Sequence, residues 1–164
     1  MKCCPKCGTD LGAMEIDGKC RQACPVSGCG FVHWDNPVPV VAAVVRCNGQ
    51  YVIARNSKWP PGIFSMITGF VERNETPMDT LARELKEELG LDLRKAEFIG
   101  HFKFPQANQL IVAFLAHAVG SVTLGSEIAE VKMLTDAEAS SHDFGILELT
   151  SEIFQEAMSI MVKA

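Results

Sequence analysis

The segment Gly69-Phe70-Val71-Glu72-Arg73-Asn74-Glu75-Thr76-Pro77-Met78-Asp79-Thr80-Leu81-Ala82-Arg83-Glu84-Leu85-Lys86-Glu87-Glu88-Leu89-Gly90-Leu91 decides how the chain folds. Its second half reads as a helix marked at both ends. Thr76 suits the N-cap, and Pro77 suits the first helical position, where its missing N–H costs nothing. Asp79 stands three residues after the cap and can return a hydrogen bond to it. Gly90 suits the left-handed stop. The helix is therefore expected over about Pro77–Leu89. At 3.6 residues per turn, Met78, Leu81, Leu85 and Leu89 form one apolar stripe that must face a core.

Glu84, Glu87 and Glu88 fall on the adjoining stripe, because spacings of three and four share a helix face. Like charges so placed repel, and Glu72 and Glu75 just upstream add to the field. A solvated acidic face is the plain alternative. A divalent cation is the natural partner, and hard carboxylate oxygens without His or thiolate nearby favour Mg²⁺ or Mn²⁺ over Zn²⁺. The chemistry such a cluster serves is attack of water on phosphorus, with the cation neutralising a diphosphate.

The rest of the main domain reads outward from this helix. Val38–Cys47 is a nearly unbroken β-branched and small apolar run, as in a strand buried on both faces. Asn48-Gly49 then signals a two-residue hairpin into Tyr51–Ala54. Trp59-Pro60-Pro61-Gly62 is a loop before a short strand at Ile63–Ile67. Glu97–Phe104, Gln109–Val119 and Glu130–Leu134 read as further strands. Thr135-Asp136-Ala137-Glu138 is a capping box. Leu149–Val162 is an amphipathic helix with Ile153, Phe154, Ala157, Ile160 and Met161 on one face. Strands and helices mixed in this way give an α+β fold, a mixed sheet covered by helices.

Of seven cysteines, only Cys47 lies beyond residue 29. An odd count without an apolar signal core speaks against a disulfide scaffold. Cys4-Pro5-Lys6-Cys7-Gly8 is a CxxC knuckle, and Cys24-Pro25-Val26-Ser27-Gly28-Cys29-Gly30 supplies a second, longer one. Cys4, Cys7, Cys24 and Cys29 would close a tetrahedral structural zinc site. Cys3 can replace Cys4, and Cys20 can replace Cys24; His33 is a further candidate ligand. Asp35-Asn36-Pro37 marks a change of composition, so a zinc ribbon is expected over residues 1–36 and a second domain over 37–164.

The 164 residues are 48% apolar and 21% charged, enough for a packed core. Fifteen Lys and Arg against 20 Asp and Glu give a net charge of −5. That balance argues against a protein whose main task is neutralising nucleic-acid phosphates. The uncharged apolar stretches are too short to span a bilayer. A soluble cytoplasmic protein is expected.

From Gly69 to Leu91 the sequence resembles the Nudix box at every specified position. The resemblance implies an α/β/α sandwich around a mixed sheet and hydrolysis of a nucleoside diphosphate linked to another group. It further implies that Glu84, Glu87 and Glu88 ligate the metal and that one of them is the general base. Arg83 would orient these carboxylates by ion pairing. Glu75 would support the loop by a salt bridge to Arg83, and Gly69 would let the loop turn. Relatives take another acidic group from outside the box; Glu130 is its candidate here, with Glu127 as the rival.

A zinc ribbon followed by this box is similar to the NADH pyrophosphatase branch and its small relatives, including plant FAD pyrophosphatases. NADH pyrophosphatases carry Ser-Gln-Pro-Trp-Pro-Phe-Pro after the box, whereas Phe102–Gln109 here retains only Phe104-Pro105. The resemblance thus implies a dinucleotide such as NADH, FAD or ADP-ribose, split by a Mg²⁺- or Mn²⁺-dependent homodimer. Phe102, Phe104, Asn108 and Gln109 are candidate contacts for its rings and amides, with Trp59 or Phe70 as lids. Alternating Phe102 and Phe104 also suit a strand facing a core. A nucleoside triphosphate, an NAD-capped RNA, or a non-catalytic nucleotide sensor are the alternatives.

Overall fold

The structure, a computed structural model, describes residues 1–163. Ala164, the end of the expected second domain, lies outside the described residues. The chain divides into two compact units, Met1–Pro37 and the remainder from Val38.

In the first unit, β1 (Gly12–Ile16), β2 (Lys19–Ala23) and β3 (Val32–His33) form an antiparallel sheet in the order β1-β2-β3. Asp17 and Gly18 join β1 to β2 with φ of 50° and 72°, the left-handed pair that a two-residue hairpin requires. Cys4, Ala23 and Cys24 are its buried apolar residues, too few for a conventional core.

The second unit is built on β4 (Val38–Cys47), β5 (Gln50–Asn56), β6 (Ile67–Phe70), β7 (Asp92–Phe104), β8 (Gln109–Val119) and β9 (Ile128–Leu134). The strand order is β7-β8-β4-β5-β9, with β6 paired to the first half of β4. β4 and β8 run parallel, and every other pairing is antiparallel. Helix α1 (Pro77–Leu89) covers one face; α2 (Asp136–Ser140) and α3 (Glu148–Lys163) cover the other. The fold is an α/β/α sandwich around a mixed sheet.

β4 shows why both faces are covered. Val40, Ala42 and Val44 enter one core with Ile153, Phe154 and Ala157 of α3. Val41, Ala43 and Val45 enter the other with Leu81, Leu85 and Leu89 of α1. Period-2 alternation of an all-apolar strand thus seeds two cores. The Asn48-Gly49 turn has φ of 51° and 80°, which returns the chain into β5.

Helix α1 carries the expected capping box from Thr76 to Asp79 and a left-handed Gly90 stop. Its stripe differs at one end. Met78 is 43% exposed, and Thr80 is fully buried. Met78 lies in the first turn, and Thr80 is admitted because its hydroxyl donates to Glu75 Oε2 (2.8 Å) and to Thr76 O (3.3 Å).

Other boundaries differ as well. The strand expected at Ile63–Ile67 is β6 at Ile67–Phe70, because that stretch has β4 as partner; Ser65 makes only an isolated bridge to Ala54. β7 starts at Asp92 instead of Glu97, with irregular register between Leu93 and Lys95 and between Phe98 and Gly100. Those irregularities break the period-2 signal on which the sequence reading depends. β9 begins at Ile128 instead of Glu130. Among the described residues, no helix is long and apolar enough to cross a membrane.

Candidate active site

Arg83 organises the acidic helix. Its Nε and Nη2 grip Glu75 at 2.7 and 3.0 Å. Nη1 donates to Glu84 Oε1 at 2.7 Å and to Glu87 Oε2 at 3.2 Å. Nη2 also donates to the Phe70 carbonyl at 3.1 Å, tying the helix to the end of β6. All five guanidinium donors therefore have acceptors. Glu75 additionally accepts from the Glu72 N–H and the Thr80 hydroxyl. The Arg83 guanidinium, with these donors, holds the Glu75 carboxyl down at about 2.

Gly69 belongs to β6 and faces Glu84. A Cβ at residue 69 would overlap the Glu84 carboxylate. Absence of a side chain there is what admits this carboxylate against the strand.

A cleft of about 810 Å³ opens beside the helix, lined by Gly69, Arg83, Glu84, Glu87, Glu88 and Glu127 among others. Glu84 is shielded, with 14% of its side chain exposed, whereas Glu87 is 61% exposed. Burial pushes Glu84 up despite Arg83, with Glu87 and Glu127 adding to the effect. Burial, followed by the charges of Glu84, Glu127 and Glu87, pushes Glu88 up to about 7. No Arg, Lys or His among the described residues pairs with Glu88. The lining offers carboxylates and neither imidazole nor thiolate, which fits Mg²⁺ or Mn²⁺. Among the described residues, the four cysteines alone gather three or more ligand atoms within 4.8 Å of one another, so no three of these carboxylates stand that close. Mg²⁺ keeps several waters, so such spacing suits it.

Glu130 is not part of this lining. It faces Arg55 in register across β5 and β9, and its carboxylate meets Arg55 Nε at 3.3 Å. Glu127, just before β9, lines the cleft. Its segment is tied to the last turn of α1: Thr123 N–H donates to Leu89 O and Gly125 N–H to Glu88 O, both at 2.9 Å. No local sequence signal distinguishes Glu127 from Glu130; the distinction is set by where β9 begins.

A second cavity, of about 330 Å³, lies across β6. Phe104 and Gln109 line it with Ile111, Leu147 and Leu149. Phe102 does not. It is 9% exposed and packed in the α3-side core, as strand alternation also allowed. Trp59, Met66, Thr68, Gly69 and Phe70 line both cavities. Trp59, expected as a lid, does line the site; Asn56 and Lys58 on the same loop are lining residues that sequence reasoning missed.

In the first unit, the sulfurs of Cys4, Cys7, Cys24 and Cys29 lie within 4.8 Å of one another. Three of the separations are 3.7 Å (Cys4–Cys29), 3.5 Å (Cys7–Cys24) and 3.8 Å (Cys7–Cys29). Four thiolates about 2.3 Å from a tetrahedral zinc stand roughly 3.8 Å apart, so the donor set fits that metal. Cys3 instead contacts Asp10, Cys20 is exposed on β2, and His33 lies near Asp35.

The NUDIX domain pattern matches residues 36–151, and the chain belongs to the Nudix hydrolase family. NAD-capped RNA hydrolase NudC of Chromobacterium violaceum is 32% identical over 117 residues, 71% of this chain and 43% of that protein. The NudC of Vibrio atlanticus is 29% identical over 140 residues, 84% of this chain and 48% of that protein. The chain thus spans less than half the length of these two relatives. The crystal structure of a NUDIX hydrolase from Nitrosomonas europaea shares the fold, with a TM-score of 0.82 over all of this chain and 94% of that one at 22% identity. Nudix enzymes in general act on nucleotide substrates and use divalent metals.

Proposed function

We propose that the chain hydrolyses the diphosphate bond of a nucleoside diphosphate linked to a second group, with a dinucleotide such as NADH, FAD or ADP-ribose as substrate. The observation that carries this reading is the gathering of Glu84, Glu87, Glu88 and Glu127 around one cleft beside an apolar cavity. Glu84, Glu87 and Glu88 would hold Mg²⁺ or Mn²⁺, which when bound supplies Lewis acidity and neutralises diphosphate charge. Arg83 aims Glu84 and Glu87 and fixes Glu75 behind them. One of Glu84, Glu87 and Glu88, or Glu127 offered from outside the helix, would take the proton of the attacking water. That oxygen joins phosphorus, the P–O–P bridge breaks, and two monophosphates leave. The apolar cavity, with Phe104 and Gln109, receives one ring of the substrate.

Cys4, Cys7, Cys24 and Cys29 would hold a structural zinc in a ribbon over residues 1–36. Four thiolates fill its tetrahedron and leave it no catalytic position.

The similarity to NAD-capped RNA hydrolases favours one second reading, in which the dinucleotide is the 5′ end of an RNA. The test is turnover in Mg²⁺ of NADH, FAD, ADP-ribose, NAD-capped RNA and a nucleoside triphosphate, with monophosphate products counted. Cleavage of two-headed substrates ahead of the triphosphate is expected. Folded, metal-supplied protein that cleaves none of them overturns the proposal.

A further inference from the structure

Arg83 spends every donor on Glu75, Glu84, Glu87 and the Phe70 carbonyl, leaving it none for an incoming phosphate. The other cation lining the carboxylate cleft is Lys58, and no carboxylate among the described residues pairs with it. Beside it, Trp59 is 38% exposed and lines both the carboxylate cleft and the apolar cavity. One short loop therefore contributes Lys58, without a carboxylate partner among the described residues, to the lining of the acidic cleft, and Trp59 to the lining of both spaces.

The loop is held in place. Ser57 N–H donates to the Glu127 carbonyl at 2.7 Å. Lys58 N–H donates to Asn56 Oδ1 at 3.0 Å, and Trp59 N–H to Asn56 O at 2.9 Å. Arg55 Nη1 donates to the Trp59 carbonyl at 3.2 Å, while its Nε meets Glu130. Pro60 and Pro61 follow and restrict the exit. Such anchoring lowers the entropy lost when a ligand is gripped.

We propose that Lys58 and Trp59 form a substrate clamp: Lys58 takes a phosphate oxygen of the diphosphate, and Trp59 stacks the nucleotide base that enters the apolar cavity. This rests on the hydrolase reading and names the residues that select two-headed substrates. A diphosphate over the carboxylates carries its base past Trp59, so phosphate and ring are bound together. Glu130 is then a positioning residue, acting through Arg55 on the Trp59 backbone. An ammonium and a ring on one loop suit a nucleoside phosphate; a bare sugar phosphate would engage Lys58 alone.

The sequence supplies a probe, because the chain has two tryptophans. In full-length Trp34→Phe protein, Trp59 is the sole indole emitter. Titration with AMP in Mg²⁺ should quench its emission saturably, whereas ribose 5-phosphate should not. Trp59→Leu should raise the KM for a cleaved dinucleotide about tenfold with kcat changed far less, and Lys58→Met should weaken AMP and ribose 5-phosphate alike. Glu130→Gln should raise KM with kcat held. Thermal melts establish that each variant is folded. AMP binding without change in emission, or a folded Trp59→Leu with KM within twofold of the parent, overturns the clamp while turnover by the parent leaves the hydrolase standing. Quenching by AMP in a protein that cleaves nothing supports the clamp and overturns the hydrolase. Neither quenching nor turnover overturns both.

Discussion

Gly69 and Glu84 share a space that only a missing side chain leaves open: a Cβ on residue 69 would overlap the Glu84 carboxylate. The obstacle is the Glu84 side chain from Cγ outward and not backbone, so Gly69→Ala can be absorbed by turning that side chain away. The fold should survive, with a melting temperature within about 3 °C of the parent. Catalysis should fall about 10- to 100-fold, because a carboxylate proposed to hold the metal has been re-aimed. Thermal melts beside steady-state turnover check this, and unfolding of the variant would show the strand, and not the carboxylate, to be the sensitive partner.

Gly125→Ala should behave oppositely. A Cβ there would meet the Glu87 carbonyl oxygen, which is helix backbone and cannot rotate aside. The segment that brings Glu127 to the cleft would have to separate from the last turn of α1. A loss of about 1–3 kcal/mol is expected, read as a lower urea midpoint with the slope unchanged. A midpoint equal to the parent's would show that the two backbones part at no cost.

Arg83→Lys should fail as a conservative change. A single ammonium cannot reproduce the two-pronged grip on Glu75 while also serving Glu84, Glu87 and the Phe70 carbonyl. Turnover should drop by about tenfold or more. Glu75 also loses the guanidinium hydrogen bonds that chiefly hold its carboxyl down, so it should titrate above about 2. Carboxyl titration by NMR, paired with kinetics, separates this from a simple loss of folding.

The contrast between Phe102 and Phe104 shows where sequence stops being informative. Both point to the same face of β7, and alternation treats them alike. Phe102 opposes Ile111 inside the sheet, whereas Phe104 opposes Gln109 where the strand ends. One ring is sealed and the other reaches a cavity; that difference is set by pairing register and by what α3 covers. The α1 caps and its Leu stripe were legible because they depend on spacings within one element and its entry loop, whereas the Arg83–Glu75 tie came from the resemblance to the Nudix box. Glu127, Lys58 and the second cavity depend on contacts between distant segments. The four-cysteine cluster was legible too: both knuckles end in Cys-Gly, which favoured Cys4, Cys7, Cys24 and Cys29 over Cys3 and Cys20, and those four sulfurs lie within 4.8 Å of one another.

That choice can be checked chemically. Elemental analysis of the full chain should give one zinc. Cys4→Ser should lose it, while Cys3→Ser and Cys20→Ser should retain it. A unit with so few buried apolar residues would depend on the proposed zinc for folding, so a strong chelator should abolish the amide protection of β1 and β2. Retained protection after the zinc has been removed would show that the strands stand without it.

Glu88 gives the acidic cleft a definite pH signature. Its folded value of about 7 exceeds that of an ordinary glutamate. Between roughly pH 4.3 and 7 the folded state therefore holds more protons than the unfolded state at this site, and stability falls as pH rises through that window. The depressed Glu75 acts the other way, its contribution being lost only in strong acid, as pH falls through about 2. A divalent cation competes with the Glu88 proton and relieves the repulsion among Glu84, Glu87, Glu88 and Glu127. Mg²⁺ should then raise the melting temperature more at pH 8 than at pH 5.5, and Glu88→Gln should flatten that difference. Equal Mg²⁺ gains at both pH values in the parent would mean that the cation does not bind where this carboxyl sits.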